Sequence, residues 1–147
     1  MRLQRLLVAA VVPLLATAVA CGEGEEEKEK EEASKAFQAA CELKPADPAA
    51  ALPADVPSGL SGATFYQLDT QGSTKRYFAY TSGSDVVAVR DQIRTAYEQA
   101  GIEIEGSDAE PPAEAEFEWK KGANEGSVQV VPLCRDTVRV RYRVGPK

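Results

Sequence analysis

Hydrophobic and polar residues alternate strictly along the last third of the chain. In residues 137–144 every second residue is apolar, and arginines occupy three of the positions between. Residues 113–121 follow the same rule, with Ala115, Phe117 and Trp119 separated by glutamates. Because successive side chains of a strand point to opposite faces, this alternation predicts an antiparallel sheet with one buried face.

Four further strands are predicted from short apolar or aromatic runs between turn residues. They cover residues 64–69, 75–81, 102–105 and 127–133. The first two are joined by a Gln-Gly-Ser turn and form a predicted hairpin, and short connections favour an antiparallel meander for the last strands.

One amphipathic helix is predicted between the second and third strands, in residues 82–101. Ser82 and Ser84 are candidate N-caps, and Gly101 is placed to end the helix. The apolar stripe repeats at helical spacing and consists of Val86, Val89, Ile93, Ala96 and Ala100. The side chains predicted to face water are those of Arg90, Asp91, Arg94 and Glu98. The whole pattern predicts an α+β fold, written ββαβββ, in which the helix packs on one face of about five to six strands.

The first residues have the layout of a secretory signal peptide, predicted over residues 1–20. Arg2 and Arg5 precede an uncharged run that is shorter than the ~20 apolar residues of a membrane-spanning helix. The run ends in Ala-Val-Ala before Cys21, and this tetrapeptide resembles the lipobox of bacterial lipoproteins. The resemblance implies cleavage before Cys21, a diacylglycerol on its sulfur and often an acyl chain such as palmitate on the new amino terminus. Ordinary cleavage with a free Cys21 thiol, and a retained membrane anchor, are the alternatives.

Lipidation of Cys21 would leave Cys41 and Cys134 as an even pair. In an exported protein these two are expected to form a disulfide, which the loop-entropy model values at about 4.5 kcal/mol. Two buried thiols are the alternative.

The chain before the first strand is predicted to have three parts. Residues 21–35 hold seven Glu and three Lys without a large apolar residue, which predicts a mobile acidic tether. A short helix over residues 36–44 then opens a single domain, residues 36–147. Four prolines predict that residues 45–60 form an irregular wrap across the domain surface. Since one helix covers only one sheet face, we expect the wrap to cover part of the other face, and an open binding surface for a ligand or partner is the alternative.

The amino-acid composition argues against several classes of function. The chain has 23 acidic and 17 basic residues, a net charge of −6, which argues against nucleic-acid binding. It has no His, the commonest general base and metal ligand. No catalytic, metal-binding or cofactor motif is recognisable, so we expect neither an enzyme nor a bound metal or cofactor.

An acidic row is predicted on one strand face by Glu114, Glu116 and Glu118. Neighbouring members lie about 6.7 Å apart, which would suit the two carboxyl groups of an inverting glycosidase. A regular row of this kind is more often a solvated face, because a catalytic acid also needs an environment that raises its pKa.

A basic row is predicted on the last strand by Arg139, Arg141 and Arg143. It either neutralises the acidic row across a polar sheet face or binds an anionic ligand. The hairpin carries aromatic residues on both faces, and we expect Tyr66 and Tyr80 to lie nearest its open edge. Together with the basic row they form the candidate binding surface.

These features predict a lipid-anchored binding or adaptor module on the extracytoplasmic side of a cell membrane or outer membrane. The expected partners are the membrane, through the lipid on Cys21, and an envelope protein or an anionic glycan. A carboxylate-dependent hydrolase acting on glycan and a purely structural envelope lipoprotein are the alternatives. The sequence leaves the oligomeric state open.

Overall fold

The alternating segments of the sequence form six strands of one antiparallel sheet in the computed structural model, which describes residues 23–147. The helices are α1 (Glu23–Gln38) and α2 (Val86–Gln99), with a short 3-10 helix at Pro48–Ala50. The strands are β1 (Thr64–Gln71), β2 (Thr74–Ser82), β3 (Glu103–Glu110), β4 (Glu114–Lys121), β5 (Asn124–Cys134) and β6 (Thr137–Pro146). The predicted signal peptide and Cys21 lie outside the described residues.

The predicted α+β fold is confirmed. The strand order is β1-β2-β6-β5-β4-β3, so the last strand of the chain pairs with the second. Four strands follow α2, in agreement with the four segments predicted there, whereas the formula ββαβββ contains only three. The predicted strand at 102–105 is longer than expected and ends at Glu110, because polar residues without alternation continue it along the sheet edge.

The apolar positions of the strands face one side and form the core. The buried strand residues on this face are Tyr77, Ala79, Ala115, Phe117, Trp119, Val128, Val130, Val138, Val140 and Tyr142. Helix α2 packs on them over β3, β4 and β5. Tyr97 of α2 meets Phe117 and Trp119 edge-on, with ring centroids 5.2 and 5.6 Å apart.

Helix α2 differs from the prediction at two buried positions. Arg90 was expected in water but is only 7% exposed, and the fully buried Tyr97 was not assigned to the apolar stripe. Arg90 buries its stem beside the core and donates from one guanidinium nitrogen to the carbonyl oxygens of Asp108 and Glu116, at 2.9 and 3.0 Å. The helix therefore binds the backbone of β3 and β4 as well as packing on their side chains.

The N-cap of α2 is also different from the two candidates. The side chain of Asp85 accepts hydrogen bonds from the backbone N–H groups of Val87 and Ala88. Neither Ser82 nor Ser84 caps the helix. Gly101, with φ +70°, follows its last turn as predicted.

The proline-rich wrap covers the same face as α2, and the expectation that it covers the opposite face was wrong. Val56 is buried in the core, and Tyr142 donates its hydroxyl hydrogen to the carbonyl oxygen of Ser58 at 2.7 Å. Gly59, with φ +70°, lies against the backbone of Ile93, where a Cβ would clash. The wrap thus fills the part of the core face, over β1, β2 and β6, that α2 leaves open.

Residues 23–35 belong to α1, where composition predicted a mobile tether. Glu31 and Lys35 form an ion pair one helical turn apart, at 2.7 Å. The last turns bury Ala33 and partly bury Phe37. A separate short helix was expected over residues 36–44. In the structure, residues 36–38 are instead the last residues of α1, and an irregular segment follows.

The predicted disulfide is confirmed. Cys41 and Cys134 are bonded, with their Cα atoms 5.5 Å apart. Beside it, the backbone N–H of Arg135 donates to the carbonyl oxygen of Ala39 at 2.8 Å. The irregular segment after α1 is therefore fastened to the β5–β6 turn.

Replacing Arg90 with Gln should lower the free energy of unfolding by about 2–3 kcal/mol, because buried carbonyl oxygens lose charge-assisted hydrogen bonds. Urea unfolding with the disulfide intact measures the change. The matched control is Arg94→Gln on the next turn, a half-buried arginine whose longer contacts with Asp91 and Glu98 should contribute only about 0–1 kcal/mol. Equal losses in the two variants would contradict the assigned role of Arg90.

Candidate functional site

The sheet face opposite α2, here called the outer face, carries the polar residues of every alternating strand. The hairpin aromatics divide between the two faces. Phe65 and Tyr77 face the core, and Tyr66, Phe78 and Tyr80 lie partly exposed on the outer face. The hairpin therefore carries aromatic residues on both sheet faces, as the sequence predicted.

Pairing of β2 with β6 places aromatic rings beside the basic row. Tyr80 lies directly opposite Arg139, and Phe78 directly opposite Arg141. Arg76 continues the same row of β2 and lies opposite Arg143. We call these three facing pairs the cationic strip, which consists of Arg76, Phe78, Tyr80, Arg139, Arg141 and Arg143.

A tyrosine pair extends the cationic strip toward the sheet edge. Tyr66 lies at a register shift in β1, and its ring centroid is 5.8 Å from that of Tyr80 and 6.4 Å from that of Phe78. Such bulges re-aim a side chain. Burial raises the pKa of Tyr66, while the positive charge of Arg139 acts in the opposite direction.

The irregular segment after α1 crosses the outer face at this pair. The Lys44 ammonium nitrogen lies 5.3 Å from the centroid of the Tyr66 ring, which is a cation–π distance. Tyr80 donates its hydroxyl hydrogen to the Lys44 carbonyl oxygen at 3.0 Å. The segment adds a fifth cation and leaves the aromatic residues partly covered.

The structure therefore brings together all five residues of the candidate binding surface, Tyr66, Tyr80, Arg139, Arg141 and Arg143. Sequence reasoning missed three neighbours. Phe78 alternates with Tyr77 and Ala79 and could have been placed on this face from its strand pattern. Arg76 and Lys44 required the β2–β6 pairing and the path of the chain after α1, which no local pattern gives.

The basic and acidic rows do not neutralise each other by direct contact. Strand β5 separates β4 from β6 and places the uncharged Ser127 and Gln129 between the rows. Two strand spacings amount to about 9.6 Å. Among the side chains that the structure describes, no carboxylate lies within 4.0 Å of Arg139, Arg141 or Arg143.

Acidic side chains border the cationic strip at both ends of β6. An open groove of about 500 Å³ separates α1 from the sheet, and Glu29, Glu32 and Glu114 line it together with Arg139. At the other end, Arg143 shares a cleft of about 80 Å³ with glutamates of β3, β4 and β5. Arg141 occupies the middle, between Gln129 and Phe78.

The acidic row lies on β4, as predicted, and has one perturbed member. Burial raises the pKa of Glu116, and the carboxylates of Glu114, Glu118 and Asp108 raise it further, while Arg141 lowers it. Glu114 accepts a 2.7 Å hydrogen bond from the side chain of Gln129. Glu116 and Glu118 line a shallow groove of about 290 Å³ with Asp108 and Ser107.

Within residues 23–147, no group of three or more acidic or cysteine side chains is placed to hold a metal ion. None of the helices in this range is both long and apolar enough to cross a membrane. The Cys41–Cys134 disulfide is consistent with an oxidising, exported environment.

Comparisons with family models, with curated proteins and with solved structures gave no match. The surface is therefore interpreted from its own residues.

Replacing Glu116 with Gln should stabilise the protein at pH 7. Because the folded state raises the pKa of Glu116, the protonated carboxyl supports folding at acidic pH, and this support is lost as the pH rises through the raised pKa. The gain should therefore shrink toward pH 3. Thermal unfolding across this range measures it, with Glu110→Gln at the exposed end of the acidic strands as the control. A gain independent of pH, or one matched by the control, would contradict the account.

Proposed function

We propose that this chain is a lipid-anchored binding module of the bacterial cell envelope and that the outer face holds its ligand or partner. The observation that carries the proposal is the cationic strip. It joins partly exposed aromatic rings to arginines without an ion-paired carboxylate among the described residues. Aromatic and arginine side chains are the residues most enriched where proteins bind partners.

Two features support the extracytoplasmic anchor. The sequence Ala-Val-Ala-Cys ending at Cys21 resembles a lipobox, and the disulfide fits an oxidising compartment. Helix α1 begins two residues after Cys21 and is acidic, so its charge would hold the domain away from an anionic membrane surface. A lipid on Cys21 would then present the outer face to other components of the envelope.

A glycan hydrolase is the second candidate function, and the raised pKa of Glu116 favours it. A general acid needs surroundings that raise the pKa of its carboxyl group, and burial and the neighbouring carboxylates do this for Glu116. Glu116 lies in a shallow groove with acidic neighbours, however, and the sequence offers no second group of assigned role. Loss of envelope-glycan hydrolysis in Glu116→Gln would support this function, and equal activity in the variant would remove it.

Site-directed photocross-linking in intact cells tests the binding module. A benzoylphenylalanine at position 80 should give an adduct with an envelope component, and one at position 92, on the exposed side of α2, should not. Replacing Tyr66 and Arg139 with Ser and Gln should reduce the adduct from position 80 severalfold, because the Tyr66 ring lies beside position 80 and Arg139 lies directly opposite it. Equal adducts from the two positions, or none from position 80, would contradict the proposal.

The anchor is measured in the same cells by the intact mass of the membrane-extracted chain. The expected mass corresponds to a chain that begins at Cys21 and carries the lipid. A water-soluble chain with an alkylatable Cys21 thiol would remove the anchor from the proposal while leaving the cross-linking result intact.

A further inference from the structure

We infer that the cationic strip binds an extended glycan whose sugar rings carry spaced anionic groups. This inference rests on the proposed function and names the ligand class of the same surface. It follows from the charge, the linear arrangement and the acidic borders of the strip.

The first step is a positive charge that the fold compensates only in part. Arg76 and Arg143 lie directly opposite each other on neighbouring strands, and like charges in this position destabilise a sheet. Asp69 lies opposite Arg76 on β1, but Arg76 donates to the side chain of Gln71 at 2.8 Å and Asp69 accepts from Gln67 at 3.0 Å, so the two described side chains form no ion pair within 4.0 Å. A bound anion would offset the part of the arginine repulsion that Asp69 does not.

The second step is the linear shape of the strip. Same-face residues of β6 are about 6.7 Å apart, so Arg139, Arg141 and Arg143 span about 13 Å along one line. Tyr80 and Phe78 form a parallel line on β2, one strand spacing away. A ligand that fits both lines is extended and places anionic groups along one edge and flatter apolar surface along the other.

The third step is the chemistry of each line. A guanidinium group binds carboxylate, sulfate or phosphate oxygens through paired hydrogen bonds. An aromatic ring offers a flat apolar surface, and the hydroxyl group of Tyr66 offers a polar tip, whereas the hydroxyl group of Tyr80 donates to the Lys44 carbonyl oxygen. Sugar rings match this set, because their C–H faces pack on aromatic rings while hydroxyl and acidic substituents project from their edges.

The fourth step concerns the acidic side chains around the cationic strip. They disfavour ligands whose negative charges are closely spaced. Strand β4 presents Glu114, Glu116 and Glu118 about 9.6 Å from β6, a distance close to the Debye length at physiological ionic strength. Glu29 and Glu32 of α1 flank the Arg139 end. A nucleic acid carries closely spaced phosphates that would extend over these acids, whereas a glycan with one charge per sugar can stay within the strip.

The test uses the protein extracted from membranes in a neutral detergent. The probes are a hexamer of galacturonic acid and the same hexamer with every carboxylate methyl-esterified, which differ only in charge. We expect the acid to bind in titration calorimetry and the ester to bind at least about tenfold more weakly, since the arginines lose their anionic partners. Binding of the acid should fall at about 1 M salt, where the Debye length is about 3 Å.

Arg139→Gln/Arg141→Gln should weaken binding of the acid about tenfold or more, and Arg139→Lys/Arg141→Lys should weaken it less, because the charge remains and the paired geometry is lost. The control is Arg135→Gln in the exposed β5–β6 turn, which should stay within about twofold of the unmodified protein. The Lys variant keeps the charge and therefore reports on binding even if the Gln variant folds poorly.

Several outcomes would overturn the glycan assignment. They are equal binding of the acid and its ester, no binding of either, an equal loss in Arg135→Gln, and tighter binding of a thymidine hexanucleotide or of glycerol phosphate, which stands for a lipid headgroup. If a protein adduct still forms from position 80 in cells, the binding module stands and only the glycan is wrong. If that adduct is also missing, both proposals fail.

Discussion

The width of the sheet is the constraint on which the rest of this structure depends. Six strands span about 24 Å, and a helix with its side chains covers only about 10–12 Å. Helix α2 therefore protects β3, β4 and β5 on the core face, and the chain must supply a second cover for β1, β2 and β6. Residues 52–60 provide it through Val56, Leu60 and the contact of Ser58 with Tyr142.

The same constraint leaves the outer face without a full cover. Helix α1 and the irregular segment after it cross this face, and the Cys41–Cys134 bond fastens the segment to the β5–β6 turn. Lys44 reaches the Tyr66 ring, but the arginines of β6 lie beside neutral residues on both flanking strands or beside Arg76. The fold thus uses one face for its core and keeps charged and aromatic side chains partly exposed on the other. We interpret this division as the physical basis of the proposed binding function.

The sequence predicted the parts of this arrangement that follow from local periodicity. Alternation located the strands and assigned the side of Trp119, Tyr142 and the β6 arginines, and the odd number of cysteines pointed to the confirmed disulfide. It could not give the position of Arg90, because a long side chain on the edge of an apolar stripe can extend into water or bury its stem. It also could not give the face covered by the wrap, since prolines indicate an irregular path without direction.

The candidate site was predictable only as separate residues. The pattern gave Tyr66, Tyr80 and the three arginines, but their proximity depends on the pairing of β2 with β6, strands that are separated by about 60 residues of chain. The sequence also suggested that glutamates and arginines neutralise each other, and the position of β5 between their strands explains why they do not form ion pairs. Long-range strand order, rather than composition, places four arginines side by side without an ion-paired carboxylate among the described residues.

The most direct test of this account is the free energy of unfolding of the Arg139→Gln/Arg141→Gln variant, measured in urea with the disulfide intact. If the outer face serves binding and does not hold the fold together, the variant should be as stable as the unmodified protein within about 0.5 kcal/mol, or more stable because charge repulsion is relieved. A loss of more than about 2 kcal/mol would show that these arginines stabilise the folded sheet, and the division of the two faces would then be wrong.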